Sequence, residues 1–114
     1  MVENINGEKF KELLRNEWNN LEIIDVRDPN EHEMIKIKNS KSIPMSEIKG
    51  RIDEIDWNKK VVFVCRSGAR SGYVAEALAS LGKKSINLEG GIYELNLNDC
   101  DCLEKSSECC GGYF

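Results

Sequence analysis

The segment best suited to chemistry is a short loop that begins at Cys65 and contains two arginines, Arg66 and Arg70. The cysteine follows an apolar run typical of a buried strand, and the residues after the loop have apolar side chains at helical spacing. A thiol in such a strand-to-helix turn lies among backbone N–H groups, which favour negative charge. The two cations favour it further, so the pattern predicts a reactive thiolate with a pKa below the usual value of about 8.5. The alternative is an inert core cysteine that happens to end a strand.

The length of this loop bears on what it can bind. Thiolate phosphatases place five residues between cysteine and arginine, and that span wraps a tetrahedral phosphoryl group. Here only four residues separate Cys65 from Arg70, residue 71 is a serine, and Val64 stands where a phosphatase has histidine. A smaller ring of donors suits one added sulfur atom better than a phosphate.

On these residues the chain resembles the rhodanese family of thiosulfate and polysulfide sulfurtransferases, whose single-domain members have a similar six-residue loop. Three further segments resemble the family in the same order along the chain. They are the strand end and helix start at residues 23–31, the Ser-Ile-Pro of residues 42–44, and the helix, strand and double glycine within residues 75–92. The resemblance covers about residues 3–95.

Two positions depart from the family pattern. Residues 35–37 read Ile-Lys-Ile where Gly-His-Ile is usual, which predicts a differently shaped region before the Ile-Pro strand. Leu95 stands where an aromatic residue usually closes the motif that starts at the double glycine, which predicts less packing at the last helix. Neither change affects the thiol.

The resemblance implies a sulfurtransferase that moves sulfane sulfur from thiosulfate or polysulfide to a thiol or cyanide acceptor through a persulfide on Cys65. Loop amides are expected to stabilise the charge on the terminal sulfur. The residues expected to bind substrate are Arg66, Ser67, Gly68, Ala69, Arg70 and Ser71. Ser71 is also expected to be the N-cap of the following helix.

Three polar residues outside the loop have expected roles. Asp25 and Arg27 are expected to support the loop through an ion pair rather than to act on substrate. His32 is the one histidine of the chain and lies between two glutamates. It is expected to be a surface residue, because sulfur transfer from a thiol of low pKa needs no general base.

The elements that must position these residues alternate between strand and helix. The predicted strands are residues 2–5, 21–26, 41–43, 60–64 and 85–88, and the predicted helices follow Asn6 and Ser71 and span residues 29–34 and 46–55. This order predicts an α/β fold of the rhodanese-like kind, with a mainly parallel central sheet and helices on both faces. Since such sheets bind ligands at the carboxyl ends of their strands, Cys65 and residues 25–27 are expected at one edge.

The chain divides into a predicted rhodanese-like domain, residues 1–95, and an acidic, cysteine-rich tail, residues 96–114. The tail contains four cysteines within eleven residues, namely Cys100, Cys102, Cys109 and Cys110. Three interpretations of these thiols remain open. They could relay sulfur from Cys65, bind a soft metal or arsenic, or belong to an unstructured segment in which they have no partner.

Composition limits the partners that we expect. The net charge of the 114-residue chain is −4 and lies mostly in the tail, so neither nucleic acid nor an anionic membrane is an expected partner. The expected partners are a small-molecule sulfur donor and a low-molecular-weight or protein thiol as acceptor, with no cofactor and no metal at the active site. The N-terminus has no signal-peptide pattern, no stretch approaches the length of a membrane span, and five cysteines fit a reducing compartment. A soluble cytoplasmic protein is therefore expected.

A second function class remains open beside the enzyme. A non-catalytic regulatory module could use the same fold, together with the tail, to bind a metal or a partner protein. The intact Cys-Arg-Ser-Gly-Ala-Arg loop favours the enzyme, whereas the two departures and the tail leave room for the module.

Overall fold

The structure is a computed structural model that describes residues 2–98 and 100–106. Its strands are β1 (Val2–Ile5), β2 (Leu21–Asp25), β3 (Ile35–Ile37), β4 (Lys41–Ser42), β5 (Lys60–Val64), β6 (Ser85–Leu88) and β7 (Leu103–Lys105). Its helices are α1 (Gly7–Glu17), α2 (Pro29–Met34), α3 (Ala69–Ala79) and α4 (Gly91–Leu97), with 3-10 segments at Trp18–Asn20 and Met45–Glu54. Among the helices of these residues, none is long and apolar enough to cross a bilayer.

Five strands form one sheet in the order β1-β6-β5-β2-β4, and every neighbouring pair in it is parallel. β5 lies at the centre, where strands on both sides cover its edges. In the register of β2 with β5, Asp25 is level with Val64, and the N–H of Val26 donates to the carbonyl of Val64 at 3.0 Å. The residues that follow the two strands, Arg27 and Cys65 among them, therefore leave the sheet at the same edge.

Side chains alternate along β5 between two hydrophobic cores, one on each face of the sheet. Val62 and Val64 face the core that α1 and α4 cover, whereas Val61, Phe63 and Cys65 face the core that α3 covers. All five are at most 2% exposed. The predicted fold class, a mainly parallel sheet with helices on both faces, is confirmed.

Most predicted elements lie where the pattern placed them, and the helix after the Cys65 loop shows one error. It begins at Ala69 with Gly68 as its N-cap, so the prediction of Ser71 as N-cap is wrong. Gly68 has φ +97°, a left-handed conformation that glycine adopts at little cost. This turn starts the helix early and leaves Ser71 in the first helical turn, where its side chain is fully buried.

The sequence did not predict the small second sheet, in which β3 and β7 pair antiparallel with Ile35 level with Lys105 and Ile37 level with Leu103. β3 is the segment that departs from the family pattern, and Ile35 and Ile37 are each 1% exposed. β7 was missed because this acidic segment has no apolar pattern of its own.

Part of the predicted tail therefore folds onto the domain. Helix α4 runs past residue 95, and Leu95 is buried in the core at 1% exposure. Cys100 and Cys102 are half-buried and pack against the core on the α1 side. An unstructured tail is thus wrong for residues 100–106, while Cys109 and Cys110 lie outside the described residues.

Candidate active site

Cys65 is the residue around which the candidate site is built, and it lies directly after the central strand. Its side chain is buried at 1% exposure, which alone would also fit an inert core cysteine. Polar donors next to the sulfur distinguish the two interpretations. The backbone N–H of Gly68 donates to Sγ at 3.0 Å, and the hydroxyl of Ser71 lies 3.4 Å from it in donating geometry.

The same donors control the acidity of the thiol. Burial by itself raises the pKa of Cys65, because it disfavours the charged form. Hydrogen bonds from the side chain and backbone of Ser71 and from the N–H groups of Gly68 and Ser67 outweigh burial, so the net pKa of Cys65 is lowered from its usual value. The predicted direction of the shift is therefore present, with hydrogen bonds rather than the two arginines as its main cause.

Arg70 is less available to the thiolate than its position suggests, because it is paired with Glu31 from helix α2. Nη1 of Arg70 lies 3.1 Å from Oε1 of Glu31, and Nη2 lies 3.4 Å from Oε2. This hydrogen-bonded pairing raises the pKa of Arg70, and the charge of Cys65 raises it further. No local pattern predicted this pair, because 38 other residues stand between the two partners along the chain.

Glu31 is held in place by its own helix. Asp28 and Glu31 form a capping box, in which each side chain meets the other residue's backbone, and Pro29 occupies the first turn. The N–H of Asp28 donates to Oε1 of Glu31 at 3.2 Å. The carboxylate of Glu31 thus both starts α2 and orients Arg70 at the rim of the Cys65 loop. The sequence pattern placed Glu31 only near the start of a predicted helix and beside His32.

The double glycine at the start of α4, Gly90 and Gly91, lets the first turn of this helix bind the backbone of the Cys65 loop. The N–H of Ile92 donates to the carbonyl of Cys65 at 3.0 Å, and the N–H of Tyr93 donates to the carbonyl of Arg66 at 2.9 Å. Gly91 has φ +56°, and a Cβ there would collide with both of these carbonyl groups. With its carbonyls bound to α4, the loop can direct its own N–H groups toward the sulfur.

A chain of side-chain hydrogen bonds, which runs from the buried Ser71 and Asn87 to the exposed Asn4, supports Ser71. Its hydroxyl lies 2.6 Å from Oδ1 of Asn87 on β6, and Nδ2 of Asn87 donates to Oδ1 of Asn4 on β1 at 3.0 Å. Because one hydroxyl has one hydrogen, Ser71 shares that hydrogen between Asn87 and the sulfur of Cys65. Asn87 and Asn4 were not predicted as site residues; an asparagine in the otherwise apolar buried strand β6 was the available signal.

Asp25 and Arg27 form a fully buried ion pair. Nη2 of Arg27 lies 2.7 Å from Oδ2 of Asp25, and Nε of Arg27 also donates to both carboxylate oxygens. Nη2 of Arg27 further donates to the carbonyl of Ile35, which joins the end of β2 to the start of β3. Whether this pair supports the Cys65 loop stays a prediction.

His32 is half-buried rather than fully exposed, and it connects helix α2 to the turn after β3. Its Nε2 lies 3.1 Å from Oγ of Ser40, and that hydroxyl donates to the carbonyl of Ile37 at 2.7 Å. Burial lowers the pKa of His32, an effect that the negative charge of Asp25 opposes. These contacts describe a structural role for His32, and the expectation that it is not a general base stays a prediction.

The remaining predicted residues divide into the rim of the loop and the tail. Arg66, Ser67 and Ala69 are exposed on the loop, next to the half-buried Arg70. Cys100 and Cys102 are joined in a disulfide on another part of the surface. Within residues 2–98 and 100–106, no group of three or more His, Cys, Asp or Glu side chains could hold a metal ion.

Comparison with known proteins gives a consistent family. The model of the Rhodanese-like domain matches residues 7–98. The uncharacterized protein YqhL of Bacillus subtilis is 39% identical over 83 residues, which are 72% of this chain and 66% of that protein. A sulfurtransferase of Allochromatium vinosum is 36% identical over 93 residues, which are 81% of this chain and 86% of that protein.

Solved structures agree. The crystal structure of a rhodanese-like domain protein from Staphylococcus aureus matches with a TM-score of 0.76 and 32% identity, and the match covers 92% of this chain and 99% of that one. The chain therefore belongs to the rhodanese-like family, and its relatives support sulfur transfer as its general activity.

Proposed function

We propose that the protein transfers sulfane sulfur from thiosulfate or polysulfide to a thiol or cyanide acceptor through a persulfide on Cys65. The observation that carries this proposal is the set of hydrogen-bond donors on the buried Cys65 sulfur, from the N–H of Gly68 and the hydroxyl of Ser71. These donors favour a thiolate, which is the nucleophile in sulfur exchange.

In the first step, the Cys65 thiolate attacks the outer sulfur of the donor. A new S–S bond forms, and the donor's own S–S bond breaks with its electron pair on the leaving group. Thiosulfate leaves as sulfite, and polysulfide leaves as a chain shortened by one sulfur. The product is a Cys65 persulfide whose terminal sulfur is negatively charged. Loop N–H groups then serve the terminal sulfur as an oxyanion hole serves oxygen.

In the second step, an acceptor thiolate or cyanide attacks the terminal sulfur. The bond between that sulfur and Sγ breaks, and Cys65 leaves as a thiolate with the electron pair. A thiol acceptor becomes a persulfide, and cyanide becomes thiocyanate. The hydrogen bonds that lower the pKa of Cys65 also make it a better leaving group, so one set of donors assists both steps.

The rim of the loop is where donors would be selected. Arg66 and Arg70 are the residues proposed to recognise an anionic donor, with Ser67 and Ser71 as further hydrogen-bond donors. Since Glu31 neutralises part of the charge of Arg70, we expect thiosulfate, a dianion, to gain less from Arg70 than a bare arginine would give it. Donors with less charge at the attacked end, such as a protonated persulfide RS–SH, are disfavoured less by Glu31.

Mass spectrometry of the intact protein tests the proposal. The reduced chain, treated with thiosulfate or polysulfide, should gain one sulfur atom that a thiol acceptor then removes. The variant Cys65→Ser should gain no sulfur at this site while its circular dichroism stays that of the wild type. Peptide mapping assigns the added sulfur to Cys65 or to a tail cysteine. Absence of sulfur on Cys65 with every donor would contradict the proposal and favour the non-catalytic module.

A further inference from the structure

Cys100 and Cys102 form a second sulfur centre, separate from the Cys65 loop. They are joined in a disulfide with one residue between them, and both are half-buried against the core on the α1 side. A disulfide that encloses so few residues removes little entropy from the unfolded chain, so it adds less stability than one across a long loop. Stabilisation is therefore a weak explanation for this pair.

Backbone hydrogen bonds hold the two cysteines in place independently of their crosslink. The N–H of Cys100 donates to the carbonyl of Leu95 at 3.1 Å, and the carbonyl of Cys102 accepts from the N–H of Lys38 at 2.8 Å. β7 then continues in register with β3. When the disulfide is reduced, these bonds keep the two thiols next to each other, as a dithiol that can close again.

The pair lines a groove of about 540 Å³ between α1 and the turn after β3. Its lining residues are Lys11, Leu14, Arg15, Trp18, Ile37, Lys38, Asn39, Cys100, Asp101 and Cys102. The side chains of Lys11, Arg15 and Lys38 are cationic, and that of Asp101 is a carboxylate. Oε1 of Glu8 lies 3.9 Å from Nζ of Lys11 and offsets part of this positive charge. Trp18 is 66% exposed, so the groove offers both an aromatic wall and positive charge. This chemistry suits a small anionic molecule.

One of the two sulfurs is better placed to act as the nucleophile. The N–H of Cys102 donates to Sγ of Cys100 at 3.3 Å. A donor in that position stabilises a thiolate on Cys100 in the reduced pair, by the same effect that acts on Cys65. Cys102 then resolves the intermediate that forms on Cys100.

We propose that the reduced Cys100 and Cys102 pair is a persulfide reductase site, which converts an anionic small-molecule persulfide to a thiol and hydrogen sulfide. The Cys100 thiolate attacks the outer sulfur of the persulfide RS–SH. The S–S bond of the persulfide breaks, RS⁻ leaves with the electron pair, and Cys100 becomes a persulfide. The Cys102 thiolate then attacks Sγ of Cys100, the outer sulfur leaves as HS⁻, and the disulfide forms.

The reaction balances without a cofactor. The sulfane sulfur gains two electrons and becomes sulfide, and the two cysteine thiols lose two electrons and become the disulfide seen here. The protons of the two thiols pass to RS⁻ and HS⁻. A small-molecule thiol or dithiol must reduce the disulfide before another turnover. The substrate class rests on the proposed function, since a thiol acceptor that discharges Cys65 becomes such a persulfide.

The experiment isolates the pair from the other three cysteines. The full-length variant Cys65→Ser, Cys109→Ser, Cys110→Ser is reduced, freed of reductant and mixed with glutathione persulfide. We expect one equivalent of sulfide released per chain above a protein-free control, together with closure of the Cys100–Cys102 disulfide in the peptide map. Adding Cys102→Ser should leave the sulfur atom on Cys100 and abolish the protein-dependent sulfide.

Two results would overturn the proposal. One is no disulfide closure and no sulfide from a variant whose circular dichroism is native. The other is equal sulfide release after Cys100→Ser and Cys102→Ser are added. Because Cys65 is absent throughout, these outcomes are independent of whether wild-type Cys65 forms a persulfide, so failure here and failure of the proposed function are distinguishable.

The groove assignment has its own test on the same background. Lys38→Gln should slow the reaction with glutathione persulfide several-fold at low salt and leave the reaction with an uncharged alkyl persulfide unchanged. Lys49→Gln is the matched control, because Lys49 is an exposed lysine that does not line the groove. Equal effects of the two substitutions would overturn the groove as the binding site.

Discussion

Each of the two sulfur centres has a backbone N–H donor on a sulfur, and the centres differ in what else favours negative charge there. At Cys65 the sulfur is buried and meets fixed N–H and O–H donors, which lower its pKa against the effect of burial. At Cys100 and Cys102 the sulfurs are half-buried, and the positive charge comes mostly from exposed side chains such as Lys38. Salt screens exposed charges far more than buried hydrogen bonds. We therefore expect high salt to slow the reactions of the groove and to affect the thiolate of Cys65 little.

The comparison also separates two ways of building a site. The Cys65 loop is fixed by segments distant in sequence, since α4 binds its carbonyls and β6 supports Ser71. The second centre has its two cysteines together in sequence, and a single strand pairing positions them. A substitution far from Cys65 can thus disable the first centre without touching a cysteine.

The largest expected effect separates the two centres completely. Cys65→Ser should abolish donor-dependent sulfur uptake at the loop, because serine has a hydroxyl in place of the thiol that would attack the donor. The matched variant Cys100→Ser, Cys102→Ser should form the Cys65 persulfide at the wild-type rate. Intact mass and peptide mapping after thiosulfate treatment measure both. A slow Cys65 in the second variant would mean that the two centres act as one.

The next effect is on stability as well as activity. Gly91→Ala should lower the free energy of unfolding by about 2–4 kcal/mol and impair transfer, since its Cβ would collide with the carbonyls of Cys65 and Arg66. Two control variants separate the causes. Gly82→Ala carries only the strain of φ +83°, and Gly50→Ala carries neither strain nor collision. Denaturant unfolding of the three variants should rank them in that order; equal losses for Gly91 and Gly82 would contradict the collision.

Removal of one hydrogen-bond donor should raise the pKa of the Cys65 thiol. Ser71→Ala deletes the hydroxyl next to Sγ, so the pKa of Cys65 should rise and alkylation at pH 6–7 should slow. Ser67→Ala is the control, because Ser67 contributes through its backbone N–H, which alanine keeps. The pH dependence of iodoacetamide alkylation gives the midpoint for each variant. An unchanged midpoint for Ser71→Ala would mean that the Ser71 hydroxyl does not lower the pKa of Cys65.

The smallest expected effect concerns donor choice at the rim. Glu31→Gln frees the charge of Arg70 while glutamine still completes the capping box, so α2 should persist. We expect the second-order rate with thiosulfate to rise by up to about fivefold, as for a partly exposed ion pair worth on the order of 1 kcal/mol, with a smaller change for an uncharged alkyl persulfide. Glu33→Gln makes the same change of charge on the same helix. Equal rate changes in both variants would assign the effect to net charge alone.

The sequence by itself determined the elements whose residues carry local signals. The apolar, β-branched run at residues 61–64 predicted β5, and the alternation of strands and helices placed α2 at residues 29–34, where it lies. The strand-to-helix pattern around Cys65 placed this cysteine at the carboxyl edge of the sheet, where it lies. These predictions succeed because side-chain periodicity, caps and turn residues act within a few positions along the chain.

Only the tertiary structure decided what surrounds the sulfurs. The pairing of Glu31 with Arg70, the support of Ser71 by Asn87, and the approach of Gly91 to the loop join residues far apart in sequence. β7 has no apolar pattern of its own and forms because β3 offers it an edge. Such contacts depend on which strands become neighbours, and the free energy of that choice comes from burying both faces of the whole sheet. A local pattern cannot encode it, so the position of Cys65 at the end of β5 was readable from the sequence while the hydrogen bonds around its sulfur were not.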